Sequence, residues 1–495
     1  MAGPEDVEKA RRLAREAQEL LAGASGDAAA LARAAAERFL DDDWTVLVSG
    51  LRSTGKSSLV VSLWGDSELL PTAVRDCTQT NTLVRVPRAG EEDRRIVLRF
   101  LEREEALDFA SRDLSYHRLE EVIREVSAVL RHRLGEMPAG ERIGWAASTV
   151  RRLFEEQPDV HVLHEPATEQ VEKLEQFLSF LDSPDYRPGG AVEMPWTERR
   201  EYLMGRRRPD GRTLEVGKLL SLRLVELVRE TDRWGSSPPH LVDSPWIPTF
   251  HNARRADLIL REAAHADVLV IVALPEPFEL EPWVDTAFRD RPELAARTVV
   301  VLNQVDTIDT SELFRRGGFA EAWAENLDML TRRGVPARNV LCSCARLPFL
   351  EGLPAGTEQT AFEAERSARL RAVLARITEM LAGRDADDLT GPLAAACDPD
   401  DSGIESLRSR LLDMSREDVP AARAREAAEK LAAVADVEMG GEAARTWKTL
   451  RERAAALCIA LREGPPPEAG PGGIGGEGGS AKVPRLPDGR PLFGS

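Results

Sequence analysis

The chain has 495 residues, a formal net charge of −18 and five cysteines. The length predicts about two to four domains, and the acidic balance argues against nucleic acid as a partner. The cysteines lack C-x-x-C spacing, so we expect reduced thiols and neither a disulfide framework nor a zinc site. We find no signal region and no apolar run of the ~18 residues that a membrane span needs. We therefore predict a cytoplasmic protein, and leave open whether it binds membranes peripherally.

The first predicted elements are two helices between residues 5 and 41. Apolar residues recur at helical spacing from Val7 to Leu21 and again from Ala30 to Leu40, with a glycine-containing break between them. The apolar stripe on these helices requires a packing partner elsewhere in the chain.

The next stretch carries the pattern on which the prediction of function depends. An apolar run leads into Gly50-Leu51-Arg52-Ser53-Thr54-Gly55-Lys56-Ser57-Ser58, and a second apolar run follows. This matches the phosphate-binding pattern G-x-x-x-x-G-K-S/T in its strand–loop–helix context. The glycines permit a tight turn that brings backbone N–H groups together, and the following helix adds its positive dipole end. We predict that Lys56 reaches the β- and γ-phosphates and that the Ser57 hydroxyl binds Mg²⁺.

Downstream of this loop, residues 82–86 and 95–100 are predicted to be paired strands, joined by a polar turn at 88–92. From about residue 102 to 212 the pattern is mainly helical, which predicts a large helical insertion. Apolar runs then alternate with helices, with strands predicted at 219–227, 240–242, 268–273, 299–302 and 340–343. This alternation indicates an α/β fold with a mostly parallel sheet that is covered on both faces.

The remaining residues divide into two segments. Beyond Phe349 the pattern is helical, with stripes that include Ile404, Leu407 and Leu411, then Trp447, Leu450 and Leu461. From residue 464 glycine and proline dominate, and we predict a disordered tail. The predicted organisation is thus an N-terminal helical segment (1–42), a nucleotide-binding domain (43–360), a C-terminal helical segment (361–463) and the tail (464–495).

Polar residues at the ends of the predicted strands identify the nucleotide. Asp243 ends one apolar strand, where its carboxylate can hold Mg²⁺ through water. Asn303 and Asp306 follow the core strand predicted at 299–302. An aspartate in this turn can accept hydrogen bonds from the N1 and N2 N–H groups of guanine. Adenine offers no such pair of donors, so Asp306 favours GTP. After the last strand, the N–H of Ala345 can meet guanine O6.

With these residues the chain resembles a dynamin-superfamily GTPase of the bacterial dynamin-like branch, over roughly residues 45 to 350. The residues that carry the resemblance are the phosphate loop, Leu69-Leu70-Pro71, Thr78, Asp243-Ser244-Pro245, Asn303, Asp306 and Cys344-Ala345-Arg346-Leu347. The resemblance implies a P-loop GTPase domain, and a neck bundle built from the N- and C-terminal helices. It also implies that Thr78 closes over Mg²⁺ and positions the attacking water, and that Ser53 contacts the β–γ bridge.

The resemblance completes the set of predicted site residues. Those assigned to catalysis are Ser53, Lys56, Thr78 and Arg52, and those assigned to Mg²⁺ are Ser57, Thr78 and Asp243. Those assigned to GTP or GDP are Gly50, Arg52, Ser53, Thr54, Gly55, Lys56, Ser57, Ser58, Asp243, Asn303, Gln304, Asp306, Cys344, Ala345 and Arg346. Pairing of GTPase domains speeds hydrolysis in the family, so the resemblance implies a homodimer, or a hetero-oligomer with another dynamin-like protein.

Four residues depart from the family pattern. Trp246 replaces a glycine after Asp-x-Pro, Gln304 replaces a lysine, and Cys344 stands where serine is usual. Arg52 replaces a glutamine; either its guanidinium stabilises transition-state charge or it points to solvent or a carboxylate. A stalk and a membrane-contacting tip are not evident, because only about 60 residues lie between Ile404 and Gly464 and a helix rises ~1.5 Å per residue.

Three interpretations follow. The first is an active GTPase whose nucleotide state controls self-association or partner binding. The second, favoured by Trp246 and Gln304, is a weakly hydrolysing GTP-binding scaffold, or a regulatory subunit of a full-length dynamin-like partner. The third is an ATPase, which Asp306 disfavours.

Overall fold

The architecture is that of a computed structural model. The residues it describes are 4–22, 24–41, 43–51, 53–70, 80–113, 137–156, 165–204, 206–207, 213–214, 217–245, 259–260, 262–278, 280, 282–311, 313–315, 318–351, 358–382, 389–434 and 441–463. Among the described helices, none combines the length and the apolar character that crossing a membrane requires.

Helices and strands alternate over much of the chain. The helices are α1 (Pro4–Leu21), α2 (Asp27–Leu40), α3 (Lys56–Trp64), α4 (Arg103–Asp113), α5 (Ala139–Glu156), α6 (Glu165–Leu181), α7 (Arg199–Met204), α8 (Pro282–Asp290), α9 (Pro292–Ala296), α10 (Phe319–Arg332), α11 (Arg346–Glu351), α12 (Glu358–Leu381), α13 (Thr390–Cys397), α14 (Ile404–Arg416), α15 (Asp418–Ala433) and α16 (Gly441–Glu463). The strands are β1 (Thr45–Gly50), β2 (Thr82–Arg85), β3 (Arg95–Phe100), β4 (Ala191–Pro195), β5 (Arg206–Arg207), β6 (Thr213–Leu214), β7 (Leu222–Val228), β8 (His240–Asp243), β9 (Val268–Ala273), β10 (Thr298–Asn303) and β11 (Val340–Ser343).

Nine of the described strands form one sheet in the order β11-β10-β9-β1-β8-β2-β7-β3-β4, and β5 pairs with β6 in a separate sheet. From β11 to β8 every neighbouring pair is parallel, as is β2 with β7. The pairs β2–β8, β7–β3 and β3–β4 are antiparallel. The predicted α/β fold with a mostly parallel sheet is therefore confirmed.

The central strands are apolar on both sides because helices cover both faces. Along β9, Val268, Val270 and Val272 belong to one buried cluster, which includes α3 and α14. Leu269 and Ile271 belong to a second cluster, which includes α8, α12 and α13. Successive strand residues point to opposite faces, so this alternation places a core on each side of the sheet.

The predicted pairing of residues 82–86 with 95–100 is wrong. β2 and β3 are both strands, but β7 lies between them and pairs with each. The buried carboxylate of Glu226 on β7 supplies a physical reason. It accepts hydrogen bonds from Arg85 of β2 at 2.5 Å and from Arg99 of β3 at 2.8 Å. A direct β2–β3 hairpin would separate the Glu226 carboxylate from these arginines, and a buried carboxylate without its counter-charge is costly.

The segment between residues 102 and 212 contains α4, α5 and α6, as the helical pattern predicts. It also contains β4, which the pattern did not predict and which forms an edge of the main sheet beside β3. The residues of β4 are largely exposed, so the strand lacks the apolar run by which the other strands are recognised.

The described residues fall into two compact units, one within Met1–Ala36 and Ala424–Ser495 and the other within Glu37–Arg423. In the first, α1 packs against α16 and Arg453 forms an ion pair with Glu16. In the second, α12 to α14 pack in the buried clusters on the two faces of the sheet. The domain boundary predicted at residue 360 stays a prediction. The identity of the first unit as a neck stays a prediction.

Candidate nucleotide-binding site

The site lies at the carboxyl edge of the sheet. β1, β8, β10 and β11 run parallel within one continuous part of the strand order. The loops that follow them therefore emerge on the same edge, where open α/β sheets bind ligands. Each of these four loops carries residues predicted from the sequence.

The loop after β1 adopts a tight turn that requires its two glycines. Gly50 and Gly55 have φ of 144° and 89°, and Ser53 also has a positive φ of 61°. A Cβ on Gly50 would lie 2.1 Å from the carbonyl oxygen of Val272, and a Cβ on Gly55 would lie 2.4 Å from Asn303 Nδ2. Neither distance is compatible with a side chain, so β9 and β10 contact the backbone of this loop directly.

Lys56 begins α3 and its side chain turns back into the loop. Lys56 is only 8% exposed. Its Nζ donates hydrogen bonds to the carbonyl oxygens of Gly50 and Leu51, each at 2.9 Å. The ammonium group is thus held within the curve of the loop, where it can neutralise a phosphate that the loop binds. Thr54 stabilises the same curve, because its hydroxyl donates to the Leu51 carbonyl oxygen at 2.9 Å.

Ser57 and Asp243 bring two oxygen groups together beside Lys56. The Ser57 hydroxyl donates to Asp243 Oδ2 at 2.7 Å, and Asp243 is fully buried at the end of β8. Hydroxyl and carboxylate oxygens are ligands that Mg²⁺ prefers. The donor set therefore fits the ion, with Ser57 as a direct ligand and Asp243 as a direct or water-mediated one.

Asn303, the last residue of β10, connects three loops. Its Nδ2 donates to the Thr54 carbonyl oxygen at 2.8 Å, and its Oδ1 accepts from the Ser343 hydroxyl at 2.9 Å and the Ala345 N–H at 3.1 Å. Gln304, with a left-handed φ of 65°, donates from Nε2 to the Ser53 carbonyl oxygen at 2.6 Å. The loop after β10 is thereby attached directly to the phosphate loop.

Asp306 lies beyond Gln304 and contacts the loop after β11. Its Oδ1 accepts a hydrogen bond from the Cys344 thiol at 3.4 Å. Burial raises the pKa of Asp306 above its ordinary value, and the Cys344 hydrogen bond opposes that rise. Burial, together with the Asp306 carboxylate, raises the pKa of Cys344, so this residue is a thiol and a donor.

The N–H of Ala345 joins the loop after β11 to the end of β10, because it donates to Asn303 Oδ1. Its predicted contact with guanine O6 stays a prediction.

Two serines that the sequence interpretation missed take part in the site. Ser343 donates to Asn303, and the Ser62 hydroxyl donates to the Ala345 carbonyl oxygen at 2.8 Å. The signal for Ser62 was available, since it is a single hydroxyl within the apolar run of α3, and a buried hydroxyl needs a partner.

For several residues singled out from the sequence, the structure gives no contact that bears on the predicted role. Arg52, Thr78 and Trp246 lie outside the described residues. Ser58 is in the first turn of α3, and Arg346 is the first residue of α11. The roles predicted for Arg52, Thr78, Ser58 and Arg346 stay predictions.

On the prediction that Asp306 recognises guanine, replacing Cys344 with serine is expected to extend GDP binding to lower pH. The Asp306 carboxylate would have to be ionised to accept the two guanine N–H groups, so its raised pKa would make GDP affinity fall early as the pH drops. A hydroxyl is a stronger donor than a thiol, so Cys344→Ser should lower the pKa of Asp306 and shift this fall to lower pH. GDP affinity measured over about pH 4 to 7 tests the shift.

The matched control for this experiment is Cys458→Ser. The Cys458 thiol, on α16, also donates a hydrogen bond to a carboxylate, Glu429 Oε1 of α15, at 3.8 Å. The control should keep the wild-type pH profile, and an unchanged profile in Cys344→Ser would contradict the expectation.

No family model and no curated protein matches the sequence. Two solved structures that resemble the chain are described as an oligomerised bacterial dynamin pair that provides a mechanism for the long-range sensing and tethering of membranes. Both are 13% identical; the first has a TM-score of 0.34 over 86% of this chain and the second 0.32 over 94%. The alignments cover 53% and 76% of those chains, so this chain spans about half the length of the first. The structural neighbours are thus bacterial dynamin-like proteins at low similarity.

Proposed function

We propose that the protein is a dynamin-like GTPase that binds GTP with Mg²⁺ at the carboxyl edge of the sheet and hydrolyses it. The observation that carries the proposal is the attachment of the loop after β10 to the phosphate loop, through Asn303 and Gln304. This attachment holds a phosphate-binding loop and a candidate base-reading carboxylate, Asp306, in a fixed relation. A nucleotide is a ligand that requires both groups at once.

Each residue of the site has a proposed task. Lys56 binds the phosphates, and its charge opposes the negative charge that develops during phosphoryl transfer. Ser57 and Asp243 hold Mg²⁺, which when bound supplies further charge neutralisation at the phosphate oxygens. Thr78 holds the attacking water and Ser53 contacts the β–γ bridge, as the family resemblance implies.

The base specificity is tested by Asp306→Asn. The carboxylate accepts two guanine N–H groups, but an asparagine presents one acceptor and one donor. GDP affinity should fall about tenfold or more, because a guanine donor loses its partner. Xanthosine diphosphate, which has a carbonyl where guanine has its amino group, should gain affinity relative to GDP. Titration calorimetry with GDP, ADP and xanthosine diphosphate gives all three constants.

Asp309→Asn is the matched control for this substitution. Asp309 is an exposed residue three positions after Asp306. Its Oδ1 accepts hydrogen bonds from the N–H and the hydroxyl of Ser311, and an asparagine retains such an oxygen. Nucleotide preference should be unchanged in the control. Unchanged preference in Asp306→Asn as well would overturn guanine recognition by Asp306 and favour the ATPase interpretation.

The coupling of nucleotide state to self-association is tested by measuring GTP turnover against protein concentration. If paired GTPase domains activate hydrolysis, turnover per molecule should rise steeply with concentration, because pairing follows mass action. Sedimentation with GDP and with a non-hydrolysable GTP analogue should show the matching change of mass. Slow turnover that does not depend on concentration would instead favour the scaffold interpretation, which the departures at Trp246 and Gln304 motivate.

A further inference from the structure

The last strand of the sheet, β11, is enclosed from both faces by a helical hairpin. Leu393 and Ala396 of α13 share a buried cluster with Cys342 and Cys344. Ile404 and Leu407 of α14 belong to the cluster on the opposite face, together with Ala345 and α3. We call residues 390–416 the edge clip, because the turn between its helices passes the carboxyl end of β11.

The turn of the edge clip contacts the end of β11 backbone to backbone. The Cys344 N–H donates to the Ser402 carbonyl oxygen at 3.0 Å. A Cβ on Gly403 would lie 2.1 Å from the carbonyl oxygen of Cys342 and 2.9 Å from Ser343 Cα. Ser402 and Gly403 have φ of 51° and 72°. Only a glycine at position 403 lets the turn approach this closely.

The turn is held by its own hydrogen bonds. The Ser402 N–H donates to the Asp398 carbonyl oxygen at 2.6 Å, and the Gly403 N–H donates to that of Ala395 at 3.0 Å. The Asp401 carboxylate accepts hydrogen bonds from the N–H and hydroxyl of Ser406, at 3.0 and 2.6 Å, and so provides an acceptor for one N–H in the first turn of α14. The turn is therefore a rigid support for what it touches.

The turn bonds to Cys344, and the backbone polar groups of the dipeptide Cys344–Ala345 are all engaged. Besides the Cys344 N–H, the Cys344 carbonyl oxygen accepts from the Leu347 N–H at 3.0 Å. The N–H and carbonyl of Ala345 bond to Asn303 and Ser62. The Cys344 thiol donates to Asp306. A displacement of this dipeptide therefore displaces the hydrogen-bond partners of both Asn303 and Asp306.

We propose that Ser402 and Gly403 are positioning residues for recognition of the guanine base, acting through Cys344–Ala345 on Asp306 and Asn303. This inference rests on the proposed function. It makes the edge clip part of the nucleotide site, although the clip lies beyond the predicted limit of the nucleotide-binding domain and carries none of its sequence motifs. The phosphate loop has no contact of this kind with the turn among the described residues, so base recognition should depend on the clip more than phosphate binding does.

The test compares Gly403→Ala with Gly235→Ala. Gly235 has a similar φ of 63°, but a Cβ there would have nothing within 4 Å. Affinities for GDP, ADP and pyrophosphate are measured for both variants and the wild type. In Gly403→Ala the preference for GDP over ADP should fall about tenfold or more, since small misplacements have such effects. Pyrophosphate affinity should be retained, and Gly235→Ala should keep the wild-type preference.

The outcomes separate the two proposals. If the wild type prefers GDP and Gly403→Ala keeps that preference, the inference is overturned while the proposed function stands. If the wild type does not prefer GDP over ADP, the proposed function fails, and the inference with it. An equal loss of pyrophosphate and GDP affinity would mark a general structural role and would also overturn the inference.

A milder variant covers the case in which Gly403→Ala does not fold. Asp401→Ala removes both hydrogen bonds between the turn and Ser406 of α14, and should loosen the turn without a steric clash. Hydrogen exchange of the Cys344 amide should then accelerate, and the preference for GDP over ADP should decline with it. Faster exchange at Cys344 with an unchanged preference would contradict the inference.

Discussion

Replacing Lys56 with alanine is expected to lower GTP turnover by about 10²–10³-fold, the effect of removing one group that stabilises transition-state charge. The ammonium is held within the phosphate loop by the carbonyl groups of Gly50 and Leu51. It is therefore already placed when a nucleotide binds, and no other described lysine lies in this loop. Affinity for GTP should also fall, by about tenfold or more, because a charge-assisted bond to phosphate is lost.

The control for Lys56→Ala is Lys430→Ala, which removes an exposed lysine bonded to Glu426 on α15. Turnover measured by phosphate release, and affinity measured with a non-hydrolysable GTP analogue, should be unaffected in the control. Melting temperatures of both variants show whether the fold is retained. Turnover within a factor of two of wild type in a folded Lys56→Ala protein would remove Lys56 from the mechanism.

Replacing Arg423 with methionine is expected to lower the free energy of unfolding by about 3–5 kcal/mol, the range measured when one partner of a buried ion pair is removed. The guanidinium bonds to both carboxylate oxygens of Asp267 at 2.7 Å and to the carbonyl oxygens of Asp41 and Asp43 at 2.6 Å. The side chain of Asp267 is 1% exposed. Methionine fills similar space but leaves that carboxylate without its counter-charge.

Two further variants define the origin of this effect. Arg369→Met breaks an exposed pair with Glu365, whose side chains are 79% and 62% exposed, and should change stability by less than about 1 kcal/mol. The double variant Arg423→Met/Asp267→Asn should be more stable than Arg423→Met alone, because the uncompensated charge is gone. Urea unfolding measures all three, and a double variant no more stable than the single one would exclude the charge as the cause.

Much of the fold was predictable because its signals are local. The phosphate loop has a fixed residue pattern, and β9 and β10 are apolar runs of strand length. Asp243 and Asn303 were recognisable because parallel strands deliver their ends to one edge in a known order. The strand β7 was also anticipated, although it begins at Leu222 after a short 3-10 helix at Gly217–Ser221.

The features that escaped prediction depend on contacts between distant segments. The sequence around β2 and β3 resembles a hairpin, and nothing local reveals that Glu226 will lie between their arginines. Ser402 contributes only a backbone carbonyl to the site, and any residue type has one. For Ser343 the hydroxyl was visible in the sequence, but its acceptor, Asn303, became known only when β10 and β11 were seen to be neighbours.

The position of β7 between β2 and β3 has a consequence for how the chain folds. Neighbours in sequence usually pair first, since the loop that must close is short. Here β2 and β3 emerge early during synthesis but cannot complete the sheet until residue 228 has been made. β1, an inner strand, remains unpaired longer still, because both of its partners, β8 and β9, begin at or after His240. The half-made chain therefore exposes unpaired strands, and a transient β2–β3 hairpin would have to open before β7 could enter. We expect slow folding that starts late, after the last central strands have been synthesised.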